Sequence, residues 1–299
     1  MRMARVLGAV GRVLIAAGVL ILLFVAYQLW GTGIRTAQAQ NQLEDDFQEA
    51  LEQVEPTTTT TTTPGATTTT TLPETAPPTA PVPEGEATAR IQIPAIGVDK
   101  IVVEGVALPD LKKGPGHYPQ TPLPGQEGNA AIAGHRTTYG APFNRIDELE
   151  PGDEIIVTTV QGEFTYVVSE TLIVAPSEVQ VLDDKGDDRL TLSACHPKYS
   201  ARQRIVVVSI LAPEEHPLPR PTRAVDAPPP KTVDSIDGER GSKTPAIFWG
   251  LVCALIWFLA WLVGRKWRKW PCYLIGFPFF MVALYFFFEE FSRLLPSNF

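Results

Sequence analysis

Cysteine is scarce in this chain of 299 residues, which has three, at positions 195, 253 and 272. Two of them lie in or beside long apolar windows, so one thiol is left for the polar part and a disulfide framework within that part is excluded. Positive charge is also in short supply. There are 25 Lys and Arg against 33 Asp and Glu, a net of -8, so no field is available to hold a polyanion and no nucleic-acid partner is expected. From Val13–Ile34, Thr244–Gly264 and Trp270–Phe288 charge is missing altogether. Each window is about as long as the ~20 residues that cross a hydrocarbon core, which excludes a simple soluble cytoplasmic protein.

The basic residues next to these windows set an expected topology, since Lys and Arg near span ends stay on the cytoplasmic side. Arg2, Arg5 and Arg12 precede the first window, and Arg265, Lys266, Arg268 and Lys269 separate the second from the third. Both clusters read as inside, which predicts a multi-pass protein of the cell membrane with three spans and the bulk of the chain extracellular. Ala37-Gln38-Ala39 resembles a signal-peptidase site, but the apolar run before it is long and distant, which favours an uncleaved anchor.

The expected organisation is a cytoplasmic end and anchor helix at 1–35, a juxtamembrane helix and stalk at 36–87 and a folded domain at 88–213. A Pro-rich linker at 214–243, a transmembrane hairpin at 244–288 and a short extracellular tail at 289–299 complete it. Leu43, Phe47, Leu51 and Val54 recur at helical spacing in an otherwise acidic stretch, as an amphipathic helix would. From Pro56 to Pro83 the chain is dominated by Thr and Pro, with too few large apolar side chains to offset the entropy of ordering.

Between the two Pro-rich tethers the apolar pattern has period two or short runs. Strands are predicted at Arg90–Pro94, Lys100–Glu104, Asn129–Ala133, Glu154–Val160, Glu163–Val168, Thr171–Val174, Arg189–Cys195 and Arg204–Leu211, with a hairpin turn at 160–163. The one helical stretch is Phe143–Leu149. An all-β domain follows, a small barrel or sandwich large enough for one hydrophobic core.

Cys195 ends a predicted strand immediately before a polar loop, where a side chain is exposed and loops carry function. A reactive thiol needs a proton partner and an oxyanion stabiliser. Of the nearby histidines, His196 points to the opposite face from its neighbour on an extended backbone, and His117 lies further upstream. His135, at another strand-to-loop boundary, can meet Cys195 if two strand ends adjoin. Arg202 and Arg204 follow the cysteine at the entry of the next strand, where a guanidinium can reach the same side of the sheet.

Together these residues resemble a known signature. Thr191-Leu192-Ser193-Ala194-Cys195, Arg204 nine residues on, and Ala133-Gly134-His135-Arg136 are similar to the motifs of sortases, the membrane-anchored cysteine transpeptidases of Gram-positive surfaces. The longer stretch from His135 to Phe143, and Cys195-His196-Pro197 followed by Ser200-Ala201, resemble the class E branch of actinobacteria. The resemblance implies an eight-stranded sortase barrel. It implies Cys195 as the nucleophile toward an LAxTG or LPxTG sorting signal, cleaved after Thr, with His135 as acid and base. Arg204 would stabilise the oxyanion and substrate. The partners implied are secreted proteins with C-terminal sorting signals and an amine of a peptidoglycan precursor. Tyr118 and Ala194 are substrate-binding candidates, Ala194 standing where the family usually has Thr. A pilin-polymerising sortase, a hydrolytic peptidase, and a catalytically weak tethered binding module are the alternatives.

No metal or other cofactor is required by that chemistry. Asp183, Asp184, Asp187 and Asp188, and separately Asp147, Glu148, Glu150 and Asp153, crowd two loops. Some sortases bind Ca2+ with acidic loops, but no fixed ligand spacing is present and solvated turns are expected. Leu72-Pro73-Glu74-Thr75-Ala76 in the stalk is close to a sorting signal.

Overall fold

A computed structural model describes residues 2–53, 82–218, 243–266 and 269–292. The Thr/Pro tract with Leu72–Ala76, most of the second tether and the end of the tail lie outside the described residues, as does Val54. Contacts divide the chain into two units, Met1–Gly33 with Glu239–Asn298, and essentially Ile34–Gly238.

In the first unit, α1 (Arg2–Ala26) ends in a π-turn at Tyr27–Gly31. Two further helices, α4 (Thr244–Lys266) and α5 (Lys269–Ser292), pack along each other, with Trp249 stacked on Phe286 at 4.7 Å between ring centroids. Phe24 of α1 meets Phe288 edge-on at 5.2 Å. Two segments, Thr244–Arg265 and Tyr273–Ser292, are long and apolar enough to cross a membrane. Of the three spans expected, these two meet that measure among the described residues. The N-terminal helix carries a shorter apolar stretch, Val10–Ala26.

The second unit is built on a closed barrel of eight strands in the order β1-β2-β3-β4-β7-β8-β6-β5. They are β1 (Ala87–Ile93), β2 (Val98–Glu104), β3 (Gly116–His117), β4 (Asn129–Ala133), β5 (Glu154–Thr159), β6 (Gly162–Val174), β7 (Arg189–His196) and β8 (Gln203–Leu211). Closure leaves no strand edge unpaired. The number expected from the sequence is right, but its composition differs. Glu163–Val168 and Thr171–Val174 form one strand, β6, broken only by a bulge between Val168 and Glu170. A bulge of this kind inserts a residue without ending pairing, so the polar Ser169-Glu170 step imitates a turn. Conversely β3 is two residues long and carries no run of β-formers; it completes the barrel by bridging β2 and β4.

The domain is also not strictly all-β. The helix α2 (Thr32–Gln53) lays Leu43, Phe47 and Leu51 onto Ile101 and Val103 of β2. Full burial of a Leu or Phe side chain stabilises by about 1.5–3 kcal/mol, so this face holds the helix to the barrel wall. A short helix α3 (Leu108–Leu111) precedes β3. The helix expected at Phe143–Leu149 is a single 3-10 turn, Ile146–Glu148.

Ile91, Ile93, Ile132, Ile155, Val157, Leu190, Leu192, Ala194, Ile205 and Val207 alternate along their strands and fill the interior. On β4, β7 and β8 the outward residues are buried as well, Ala131 and Ala133 of β4 beneath Tyr118, Leu111 and the segment Val179–Leu182. Burial on both faces explains why β4 and β8 read as near-continuous apolar runs, whereas β7 carries the polar Thr191 and Ser193 on its outer face. It is on this covered outer face that the site lies.

Candidate active site

Cys195 and Arg204 are direct partners in the antiparallel β7–β8 ladder, and opposed residues in such a ladder project to the same face. Both face outward, since their neighbours Ala194 and Ile205 belong to the interior. Arg204 Nη1 donates to the carbonyls of Ala201 (3.2 Å) and Gln203 (3.0 Å), which orients its guanidinium from its own loop. Arg202 is exposed and takes no place on this face.

His135 arrives by a different ladder. Strands β4 and β7 run parallel with Ala133 opposite Ser193, and Gly134 N continues the pairing to Ser193 O at 3.0 Å. Two steps beyond Ala133 in that register, His135 is level with Cys195. Gly134 admits no side chain, because a Cβ there would lie 2.4 Å from the Phe143 ring. The close approach of Phe143 folds the loop back so that its N–H donates to His135 O at 3.1 Å. The thiol, imidazole and guanidinium expected from the sequence are thus brought to the ends of three neighbouring strands, and all three are buried.

The imidazole of His135 is 1% exposed, and neither ring nitrogen has a hydrogen-bond partner among the described residues. Its ring lies 4.9 Å from that of Tyr139, and the Lys112 ammonium sits 5.5 Å from the centre of the Tyr139 ring. Desolvation, with a smaller contribution from the Lys112 charge, lowers the His135 pKa to about 3. The resting histidine is therefore neutral.

Arg136 is the residue whose role the sequence did not disclose, although it stands next to His135. It is 2% exposed. Its Nη1 reaches Cys195 O at 3.3 Å and His196 Nδ1 at 3.2 Å, and its Nη2 pairs with Asp147 at 2.6 Å. Asn144 Nδ2 closes the same loop onto Arg136 O at 2.8 Å. Arg136 thereby ties the His135 loop to the end of β7. His196 is occupied in this arrangement, in keeping with its unsuitability as a partner of the thiol.

The two substrate-binding candidates part company. Tyr118 packs with Ala131 and Ala133 and places its hydroxyl 3.3 Å from Ser193 Oγ, on the face of Cys195. Ala194 does not reach that face; its methyl is in the barrel interior, so contact there with anything bound beside Cys195 is limited to the backbone. His117 has a structural setting, with Nδ1 2.8 Å from Glu104 Oε2 and Nε2 2.9 Å from Pro122 O.

The acidic loops are internally paired. Asp147 meets Arg136, Glu148 meets Arg145, Asp187 meets Arg189, and Asp188 accepts from Gly128 N. Among the described residues no group of three or more His, Cys, Asp or Glu is placed to hold a metal ion.

A closed barrel with a thiol, an imidazole and a guanidinium at adjacent strand ends has the parts needed for acyl transfer through a covalent intermediate. Residues 91–212 match the Sortase domain family. The chain is 34% identical over 215 residues to sortase SrtE1 of Streptomyces coelicolor, covering 67% of this chain and 55% of that protein. It is 35% identical over 114 residues to sortase D of Bacillus subtilis, covering 38% and 56%. The chain thus matches just over half the length of these two curated relatives. Among solved structures, sortase E from Streptomyces avermitilis is 37% identical, with 44% of this chain and 90% of that chain covered at a TM-score of 0.40. The chain belongs to the sortase family, and its similarity includes the class E sortases of Streptomyces.

Proposed function

We propose that this chain is a cysteine transpeptidase. It cleaves an LAxTG- or LPxTG-type sorting signal after Thr and joins the acyl product to an amine of a cell-wall precursor. The observation that carries this assignment is the pairing of Cys195 with Arg204 across β7 and β8, with His135 delivered by the parallel β4–β7 register.

In this mechanism the Cys195 proton passes to the neutral His135, and the thiolate attacks the carbonyl carbon of the signal's Thr. The charge pair so formed supports itself in a site where an isolated imidazolium is disfavoured. The tetrahedral oxyanion lies against Arg204. Collapse breaks the C–N bond, and the departing amine takes the proton from His135, leaving a thioester on Cys195. An incoming amine then attacks the thioester carbonyl, gives its proton to His135, and displaces the sulfur, which recovers that proton. Tyr118, anchored to Ser193 beside the thiol, lines the pocket for the signal.

The same proposal places the catalytic domain outside the cell membrane. α4, α5 and the N-terminal apolar helix act as anchors, with the basic clusters at Arg2–Arg12 and Arg265–Lys269 on the cytoplasmic side. Substrates are then exported proteins, and the amine comes from a membrane-proximal precursor.

The test uses the full chain in detergent with LAxTG and LPxTG peptides and an amine, wild type against Cys195→Ala, read by mass spectrometry. A Thr–amine product that vanishes in the variant supports the assignment. Cleavage to a free Thr carboxylate alone makes the protein a hydrolase, and no Cys195-dependent product overturns the enzyme assignment.

A further inference from the structure

The polar residues of α2 have a use that the amphipathic pattern does not explain. Gln40 is buried, and its side chain makes three hydrogen bonds. Its Nε2 donates to Ile101 O and Lys113 O, both at 2.9 Å, and its Oε1 accepts from Ile101 N at 2.9 Å. Gly114 has no side chain where the Gln40 amide sits, since a Cβ there would be 2.3 Å from Nε2. One turn earlier, Thr36 Oγ1 donates to Lys112 O at 2.9 Å. The Thr36 methyl also borders the other side of the site, lying 3.4 Å from where a Gly140 Cβ would be. Thr36 and Gln40 therefore grip the segment that carries Lys112 and border the loop that carries Tyr139. These two residues are layered over His135, Lys112 on Tyr139 and Tyr139 on the imidazole.

We propose that α2 is a positioning element of the active site. Thr36 and Gln40 hold Lys112 over Tyr139, and this stack sets the environment of His135. The idea rests on the transpeptidase assignment for its catalytic meaning, but the stack itself does not. Held in place, the Lys112 charge opposes protonation of His135, in line with the direction of its pKa. The other titratable or charged groups on the surrounding elements are Cys195 and His196 of β7, Arg204 of β8, and Arg136 and Tyr139 of the His135 loop. Asp110 and Lys113 of the α3 region are turned toward Gly85, where Lys113 Nζ donates to the carbonyl at 2.8 Å. Arg35 is on the exposed side of α2. Lys112 is thus the cation of this set that a change in α2 would move.

The chain contains four histidines, so 15N-histidine labelling of the full chain in detergent resolves His135 directly. The onset of protonation is followed downward from pH 7. Lys112→Met should raise the onset for His135 by half a pH unit or more, and Lys112→Arg should restore it. Thr36→Val with Gln40→Leu should raise it too, and lower kcat about fivefold or more with KM within twofold. An unchanged onset in Lys112→Met overturns the role of the stack. A lower Tm with an unchanged onset in the α2 double variant overturns the role of the helix. Because the signal is read without turnover, failure of the transpeptidase assignment would appear separately, as loss of Cys195-dependent product.

Discussion

Arg136 donates a hydrogen bond to the carbonyl oxygen of Cys195 at 3.3 Å and an ion pair to Asp147 at 2.6 Å. The side chain next to the histidine therefore anchors the backbone of the cysteine. A single guanidinium joins the loop after β4, the 3-10 turn at Ile146–Glu148 and the end of β7, so the relative placement of His135 and Cys195 depends on it. Lys cannot reproduce this, because an ammonium on a flexible stem lacks the planar fork that serves three acceptors at once.

Arg136→Lys is accordingly expected to lower kcat/KM by 10-fold or more, since small misplacements of reacting groups are costly. Asp147→Asn, which keeps the shape but removes the charge, should have a smaller effect in the same direction. Steady-state kinetics on both variants, with Tm as the control for folding, checks the order.

The same ion pair gives a dependence on acid. Asp147 is partly desolvated, which raises its pKa, but the Arg136 hydrogen bond and nearby positive charge outweigh this and hold the carboxyl below its ordinary value. A depressed folded-state pKa means the stabilisation is present above the ordinary carboxylate range and is lost as pH falls through it. Asp147→Asn should therefore flatten the loss of Tm below about pH 4, and equal slopes in wild type and variant would count against the pairing.

His135 contributes a second and separate window. Its pKa is lowered from 6.5 to about 3, so from about pH 6.5 downward the unfolded chain binds a proton that the folded chain refuses. Stability is full above that range and falls by up to about 1.4 kcal/mol per pH unit on the way down. His135→Gln removes this proton, and its Tm should decline less steeply than that of the wild type between pH 6.5 and 4. Thermal unfolding across that range is the measurement, and parallel curves would show that the imidazole is not held neutral.

Much of this arrangement was legible in the sequence because the strands that carry it are regular. Asn129–Ala133 is β4 to the residue, and β7 and β8 start or end within one residue of their expected limits. Alternation also separates Cys195 from Ala194, a consequence of period two that places the family-divergent position in the barrel core. Other features gave no local signal. β3 is too short for a pattern and exists because β2 and β4 need a bridge. The face of Leu43, Phe47 and Leu51 announced a helix with something to cover, but its partners Ile101 and Val103 are about 50 residues away. Nor does any spacing show that Gln40 will complete the hydrogen bonding of Ile101. Such tertiary pairings are fixed by packing alone.

Tyr118 offers a way to separate packing from recognition. Its ring is buried among Leu111, Ala131 and Ala133, and its hydroxyl is 3.3 Å from Ser193 Oγ. Tyr118→Phe keeps the ring and removes one neutral hydrogen bond, which typically contributes about 0.5–1.5 kcal/mol, so Tm should fall only slightly. If the hydroxyl instead helps to position the signal peptide beside Cys195, KM or the preference between LAxTG and LPxTG peptides should shift by about 3- to 10-fold. Ser193→Ala removes the partner from the other strand and should reproduce part of that shift without disturbing the ring. A preference unchanged in both variants would reduce Tyr118 to a packing residue, and the specificity of the pocket would then have to come from another wall.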